Sequence, residues 1–275
     1  MKHVRQLLIL FLFVFAEQLS AQNYHSVIGA NNRATGGTGT ANVDLWSANN
    51  NQASMAFYEA GGGAGFYYQN SFMIKEMALR SGALIYPTKS GAFGLTISNY
   101  GSTNFNTNKI GLGYGKKLSE RFSAGIQLDY INIYIGDNYG SKGLFTFELG
   151  ILAKATDKIN IGAHVFNPIR AKIMDYNDER LPVVMNLGVQ WKANKYFVFS
   201  AEAESDINSK MILKTGIEYR IIDMLYARIG ISNNPNIVSF GAGLHLGNFR
   251  LDFSSSMHQV LGYSPQFSFI YELDK

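Results

Sequence analysis

Two histidines and two serines bound the catalysis this chain could perform. His164 and His245 occupy positions that alternation assigns to the polar face of their strands, and Ser239 and Ser254 lie near the second. An acyl hydrolase needs a serine, a histidine and an orienting polar group within hydrogen-bond reach. Neither serine sits in a G-x-S-x-G turn. The histidines are therefore expected to be hydrogen-bonding wall residues that use their two ring nitrogens. No carboxylate–histidine cluster has metal spacing, and the chain has no cysteine. Gly61-Gly62-Gly63 lacks the lysine and following helix of a phosphate loop. A non-enzymatic protein without a cofactor is expected.

The charged residues form a larger constellation. Glu148, Glu202, Glu204, Lys214, Glu218, Arg220, Arg228, Arg250 and Asp252, with Asp129 and Lys154, all fall on the polar phase of alternating segments. Both signs occur on consecutive segments, so cross-strand pairing would neutralise them and hold a wall rigid. Two readings of that interior stay open: a polar channel or pocket, or a lumen sealed by ion pairs and small residues.

The segments that position these groups are strands. Phe240, Ala242, Leu244 and Leu246 alternate with Ser239, Gly241, Gly243 and His245, and Phe249, Leu251 and Phe253 alternate with Arg250, Asp252 and Ser254. Phe267, Phe269, Tyr271 and Leu273 repeat the pattern, with Ile270 the one exception on the polar side. Period-two patterning presents one apolar and one polar face. About fourteen such segments run from 61–70 to 264–274, separated by short turns and one longer break from Asn167 to Leu181. Abundant tyrosine and phenylalanine, only 5 prolines and a mean hydropathy near zero suit an antiparallel transmembrane β-barrel better than a helical membrane protein. Tyr67, Tyr68, Tyr86, Tyr130, Trp191 and Tyr226 are expected in its interfacial girdles.

Met1 to Ala21 reads as a signal peptide: basic Lys2 and Arg5, an apolar stretch too short to span a bilayer, and a small-residue cleavage site. Export to the outer membrane follows. Without that leader the net charge falls from +4 to +3 (22 basic against 19 acidic side chains) and is unclustered, which argues against nucleic-acid binding. Residues 22–59 differ from the rest, being rich in Asn, Ala, Gly and Thr. Val43, Leu45, Trp46, Met55 and Phe57 favour a plug in the barrel mouth over a disordered arm. The division expected is a leader over 1–21, a plug-like segment over 22–59 and a barrel over 60–275.

Arg33-Ala34-Thr35-Gly36-Gly37, then Asp44, Trp46 and Asn51-Gln52-Ala53-Ser54-Met55, resembles the plug signature of FadL-like outer-membrane proteins. Within that group the stretch resembles most the PorV/PorQ type of Bacteroidota. Phe166-Asn167-Pro168 and the tail His258-Gln259-Val260-Leu261-Gly262 are similar to that family's central loop and closing hairpin. The resemblance implies a fourteen-stranded barrel with an N-terminal plug. It also implies two kinds of role. Compact loops and a charged lumen point first to an accessory or scaffold subunit of an envelope complex, in protein secretion or outer-membrane assembly, with an envelope protein as partner. The alternative is a transporter or pore for small hydrophobic molecules.

Overall fold

The computed structural model describes residues 25–136, 140–174, 178–207 and 209–274; the expected leader lies outside them. Fourteen antiparallel strands close into one barrel in which each strand pairs with its neighbours in sequence and β1 pairs with β14. The strands are β1 Gly62–Asn70, β2 Ala78–Pro87, β3 Ala92–Gly101, β4 Phe105–Ser119, β5 Phe122–Ile135, β6 Gly140–Thr156 and β7 Ile159–Phe166. They continue as β8 Val184–Lys192, β9 Phe197–Asp206, β10 Ile212–Ile222, β11 Leu225–Ser232, β12 Ile237–Leu246, β13 Phe249–His258 and β14 Gly262–Leu273. Closure removes every sheet edge, which backbone in a bilayer requires. No helix among the described residues is long and apolar enough to cross a membrane.

Alternation sets the facing. On β12 and β13, Phe240, Leu246, Phe249 and Phe253 are exposed on the outer wall, while Ser239, Asp252 and Ser254 are buried inside. Ile270, the exception in the pattern, points inward and joins an apolar cluster with Leu45, Trp46 and Tyr67. It keeps the strand's phase because its partner is the plug and not water.

Residues from His25 to Phe57 fill the bore. They include two short helices, α1 (Ala30–Ala34) and α2 (Ser47–Asn50), and a 3-10 helix over Gln52–Phe57. Leu45, Trp46, Met55 and Phe57 are buried there. The longest connection, 167–183, marks the extracellular end, because outer-membrane barrels keep short turns on the periplasmic side. It folds back so that Ile173 and Leu181 pack with Phe166, Ile131 and Leu144 over the mouth.

Candidate functional site: the plug and its seat

A belt of inward glycines receives the plug. Cross-strand register pairs Gly94 with Gly113, Gly115 with Gly125 and Gly125 with Gly150, Gly162 with Gly188, and Gly216 with Gly230. A Cβ at any of them would press on plug atoms. One at Gly216 would come 2.5 Å from Thr35 Cα, one at Gly94 2.5 Å from Met55 Sδ, and one at Gly188 3.2 Å from Thr40 Cβ. Plug backbone thus lies directly on wall backbone around most of the circumference. Gly36 and Gly37 have φ of 76° and 85°, a conformation that glycine adopts without steric cost, and a side chain on Gly36 would meet the Ile231 and Thr215 carbonyls.

Two carboxylates grip the seated plug. Glu202 Oε2 accepts from the backbone N–H groups of Gly39 and Thr40, both at 2.9 Å. Its Oε1 accepts from Lys214 Nζ at 3.0 Å, and Lys214 also donates to Glu204 at 2.7 Å. Three strands away on β6, Glu148 accepts from Gln52 Nε2 at 2.8 Å and Lys109 Nζ at 2.6 Å, and lies 2.9 Å from His164 Nε2. Asn51 adds a third hold: its Nδ2 donates to Thr40 O at 2.8 Å and to Ile151 O, on β6, at 3.0 Å.

The other plug residues singled out by sequence act within the plug or against the wall. Arg33 donates to Ser26, Asp44 accepts from Asn31 Nδ2 at 2.8 Å, and Trp46 meets the edge of Tyr67 at 6.1 Å. On the wall, Arg228 bridges Glu218 and Asp252, each at 2.6 Å, and Arg250 pairs with Glu272 at 2.6 Å. Arg220 stands at the periplasmic rim with Asp223 at 3.1 Å, apart from the plug grips. Polar cavities of about 170 and 290 Å³ border these residues below the plug.

The interior is asymmetric along the axis. In the extracellular half the buried inward residues of β1–β7 include Tyr67, Leu79 and Tyr100, packed on Leu45 and Trp46 of the plug, and Ile131, Leu144 and Phe166, packed under Ile173 and Leu181 of the loop, with Lys109 Nζ 5.5 Å over the Phe166 ring. His25 stacks on Phe166 at 5.2 Å and on His164 at 5.5 Å. The periplasmic side carries Lys154, Lys192, Arg228, Arg250 and Asp252 instead.

Two girdle assignments are corrected. Tyr67 is fully buried against Trp46, with its hydroxyl donating to Gln69 at 2.7 Å. Tyr226 shares the inward phase of Arg228 and lies 4.1 Å from the His245 ring. Both fall on the lumen phase, where plug and ion pairs supply partners that hydropathy does not register. Ser239 and Ser254 hydrogen-bond to Ser256 and Gln266, not to a histidine, so the described residues contain no serine–histidine dyad at these positions. Sequence reasoning passed over Lys109 and the belt. Ile110, Leu112 and Tyr114 set the outward phase of β4, which puts Lys109, Gly111, Gly113 and Gly115 inside; that G-x-G-x-G spacing was the available signal.

A closed fourteen-stranded barrel with its N-terminal segment seated in the bore is a plugged outer-membrane-type barrel. Its fold is the FadL-like one. The structure superposes on a monoaromatic hydrocarbon channel, CymD, with a TM-score of 0.70 and 12% identity over 90% of this chain and 98% of that one. The toluene transporter TbuX of Ralstonia pickettii gives 0.69 and 13%, over 92% and 100% of the two chains. A FadL homologue of Pseudomonas aeruginosa gives 0.61 and 14%, over 91% and 98%. No family model matches the chain, and no curated protein does.

Proposed function

We propose that this chain is a non-enzymatic, plugged outer-membrane channel for small hydrophobic molecules. The observation that carries the reading is the apolar and aromatic inner face of the extracellular half, from Tyr67 and Tyr100, against the plug, round to Ile131, Leu144 and Phe166, under the long loop. An interior meant only to be sealed by ion pairs has no need of an apolar upper half, whereas a hydrophobic solute needs a surface on which to leave water. The periplasmic half is charged and would repel such a solute, so the plug lies between an apolar inner face and a polar exit. The likeness to hydrocarbon channels over nearly their whole length supports the same reading.

Intact Gram-negative cells whose outer membrane carries this barrel should take up labelled toluene faster than cells lacking it. Ile131→Asp, which puts a charge on the apolar face under the long loop, should return uptake to the level without the barrel.

A second reading, an accessory subunit of the PorV/PorQ type with an envelope protein partner, draws support from the unbroken wall. All fourteen strand pairs are continuous apart from bulges at the periplasmic ends of β4, β6 and β10, and the plug occupies the bore. Mild solubilisation that recovers a stoichiometric envelope protein, together with unchanged toluene uptake, would favour it.

A further inference from the structure

Lys109 stands between two carboxyls on the next two strands. Its Nζ is 2.6 Å from Glu148 Oε1 on β6 and 3.9 Å from Asp129 Oδ1 on β5; both acids are fully buried, and the lysine side chain is 11% exposed. Register sets Lys109 opposite Ile131 and Asp129 opposite Gly111. The two are therefore diagonal neighbours on the inner face, about 7–8 Å apart along the backbone, a gap that the long lysine stem spans.

The two carboxyls are not equivalent. Glu148 is held by Lys109, Gln52 and His164. Asp129 Oδ1 accepts from Gln127 Nε2 at 2.9 Å, whereas its Oδ2 has no donor among the described residues. Glu148 and Asp129 are also side-chain hydrogen-bond neighbours, which two carboxyls can be only around a shared proton. The other buried lysine offers a contrast: Lys214 bonds both Glu202 and Glu204 directly, at 3.0 and 2.7 Å. Gly111 leaves room for the group, since a Cβ there would come 2.6 Å from Asp129 Oδ1 and 2.5 Å from Gln127 Nε2. Ile131 and Phe166, both buried, shield it from bulk water, with Lys109 Nζ 5.5 Å over the Phe166 ring.

We propose that Lys109 and Asp129 condense into an isopeptide bond, with Glu148 as the proton carrier. Glu148 takes a proton from the Lys109 ammonium, and the freed amine attacks the Asp129 carboxyl carbon. The Gln127 amide steadies the charge that gathers on Oδ1. The C–N bond forms as the bond from that carbon to Oδ2 breaks. The nitrogen gives up a second proton, both protons leave on Oδ2 as water, and Glu148 ends as it began. Holding amine and carboxyl together supplies the effective concentration that condensation in water lacks. The bond staples β4 to β5 and removes a cation from the apolar face under the long loop. The inference rests on the buried triad and not on the transport reading.

The test is tandem mass spectrometry of the full barrel, purified from outer membranes, denatured and digested with trypsin. Wild type should give a branched peptide joining the Lys109 and Asp129 segments, lighter by one water than the two together, with no cleavage after Lys109. Glu148→Gln, which keeps the shape but cannot carry the proton, should lose the branched peptide and be cut after Lys109. Wild type decides the bond by itself, so the test stands even where the variant fails to fold. Wild-type protein cleaved after Lys109, with both linear peptides at full mass, would overturn the proposal. So would a link from Lys109 to Glu148, or an undiminished link in folded Glu148→Gln.

Discussion

The Thr40 backbone N–H donates to the Glu202 carboxylate at 2.9 Å, joining the plug to β9 through a charge-assisted bond inside the bore. Gly39 shares the same oxygen, and Lys214 takes the other. Removing the carboxylate strands two backbone donors and leaves Lys214 with Glu204 alone. Breaking a buried pair in this way costs about 3 kcal/mol. Glu202→Ala should therefore speed amide exchange at Gly39 and Thr40 by about a hundredfold, read by hydrogen–deuterium exchange. Unchanged protection would mean that the glycine seat alone holds the plug.

The belt itself is testable with one methyl group. Gly230→Ala drives a Cβ into the Gly36 backbone, which has no flexible end to swing away. Overpacking of this kind costs about 1–3 kcal/mol and should expose the plug to protease. Gly82→Ala, pointing out of the barrel, should stay within about 0.5 kcal/mol of wild type. Equal protease resistance of the two variants would remove the belt from the argument for a seated plug.

Gln52 and Glu148 meet at 2.8 Å across the plug–wall boundary. A double-mutant cycle of Gln52→Ala and Glu148→Ala, followed by thermal unfolding, should give a coupling of about 1.5–3 kcal/mol, the range for a hydrogen bond to a charged group. Additive losses would show that Glu148 serves Lys109 and His164 without holding the plug.

The long extracellular loop has its own acid limit. Hydrogen bonds from Arg180 and then Lys172 hold the Asp178 carboxyl down to about 2. A depressed carboxylate stabilises at pH above its unfolded value and loses that contribution as pH falls through the folded one. Loop protection in hydrogen exchange should be flat from pH 7 to about 4 and fall between about 4 and 2. Asp178→Asn should abolish the pH dependence. The effect is modest because the pair is exposed and screened by solvent.

The barrel was legible because each wall residue obeys a two-sided rule: Phe253 meets lipid and Asp252 does not. The first and last strands lie within two residues of their expected spans, 61–70 and 264–274, since turn chemistry and phase change mark the same places. The site was less legible. Trp46 and Leu45 announced a buried plug by size, yet the glycines that seat them carry no hydropathy signal and resemble turn residues. Tyr67 and Tyr226 were misplaced for a related reason: an aromatic in a strand suits either a lipid headgroup or a plug, and only register decides. Lys109 was readable from the phase of Ile110 and Leu112, but the partner that fixes it, Glu148, is two strands away on β6 and outside any local pattern.

The most direct test of a plugged channel is to lock the plug. The chain has no cysteine, so Thr40→Cys with Gly188→Cys can form only one bridge. The 3.2 Å between Thr40 Cβ and an ideal Cβ at Gly188 is within a few tenths of an ångström of disulfide geometry. Cells carrying this variant should take up the labelled hydrocarbon at the barrel-free rate when oxidised, and faster once the bridge is reduced. Wild-type cells that take it up no faster than cells without the barrel would contradict the channel; uptake that ignores the bridge would contradict the plug as its gate.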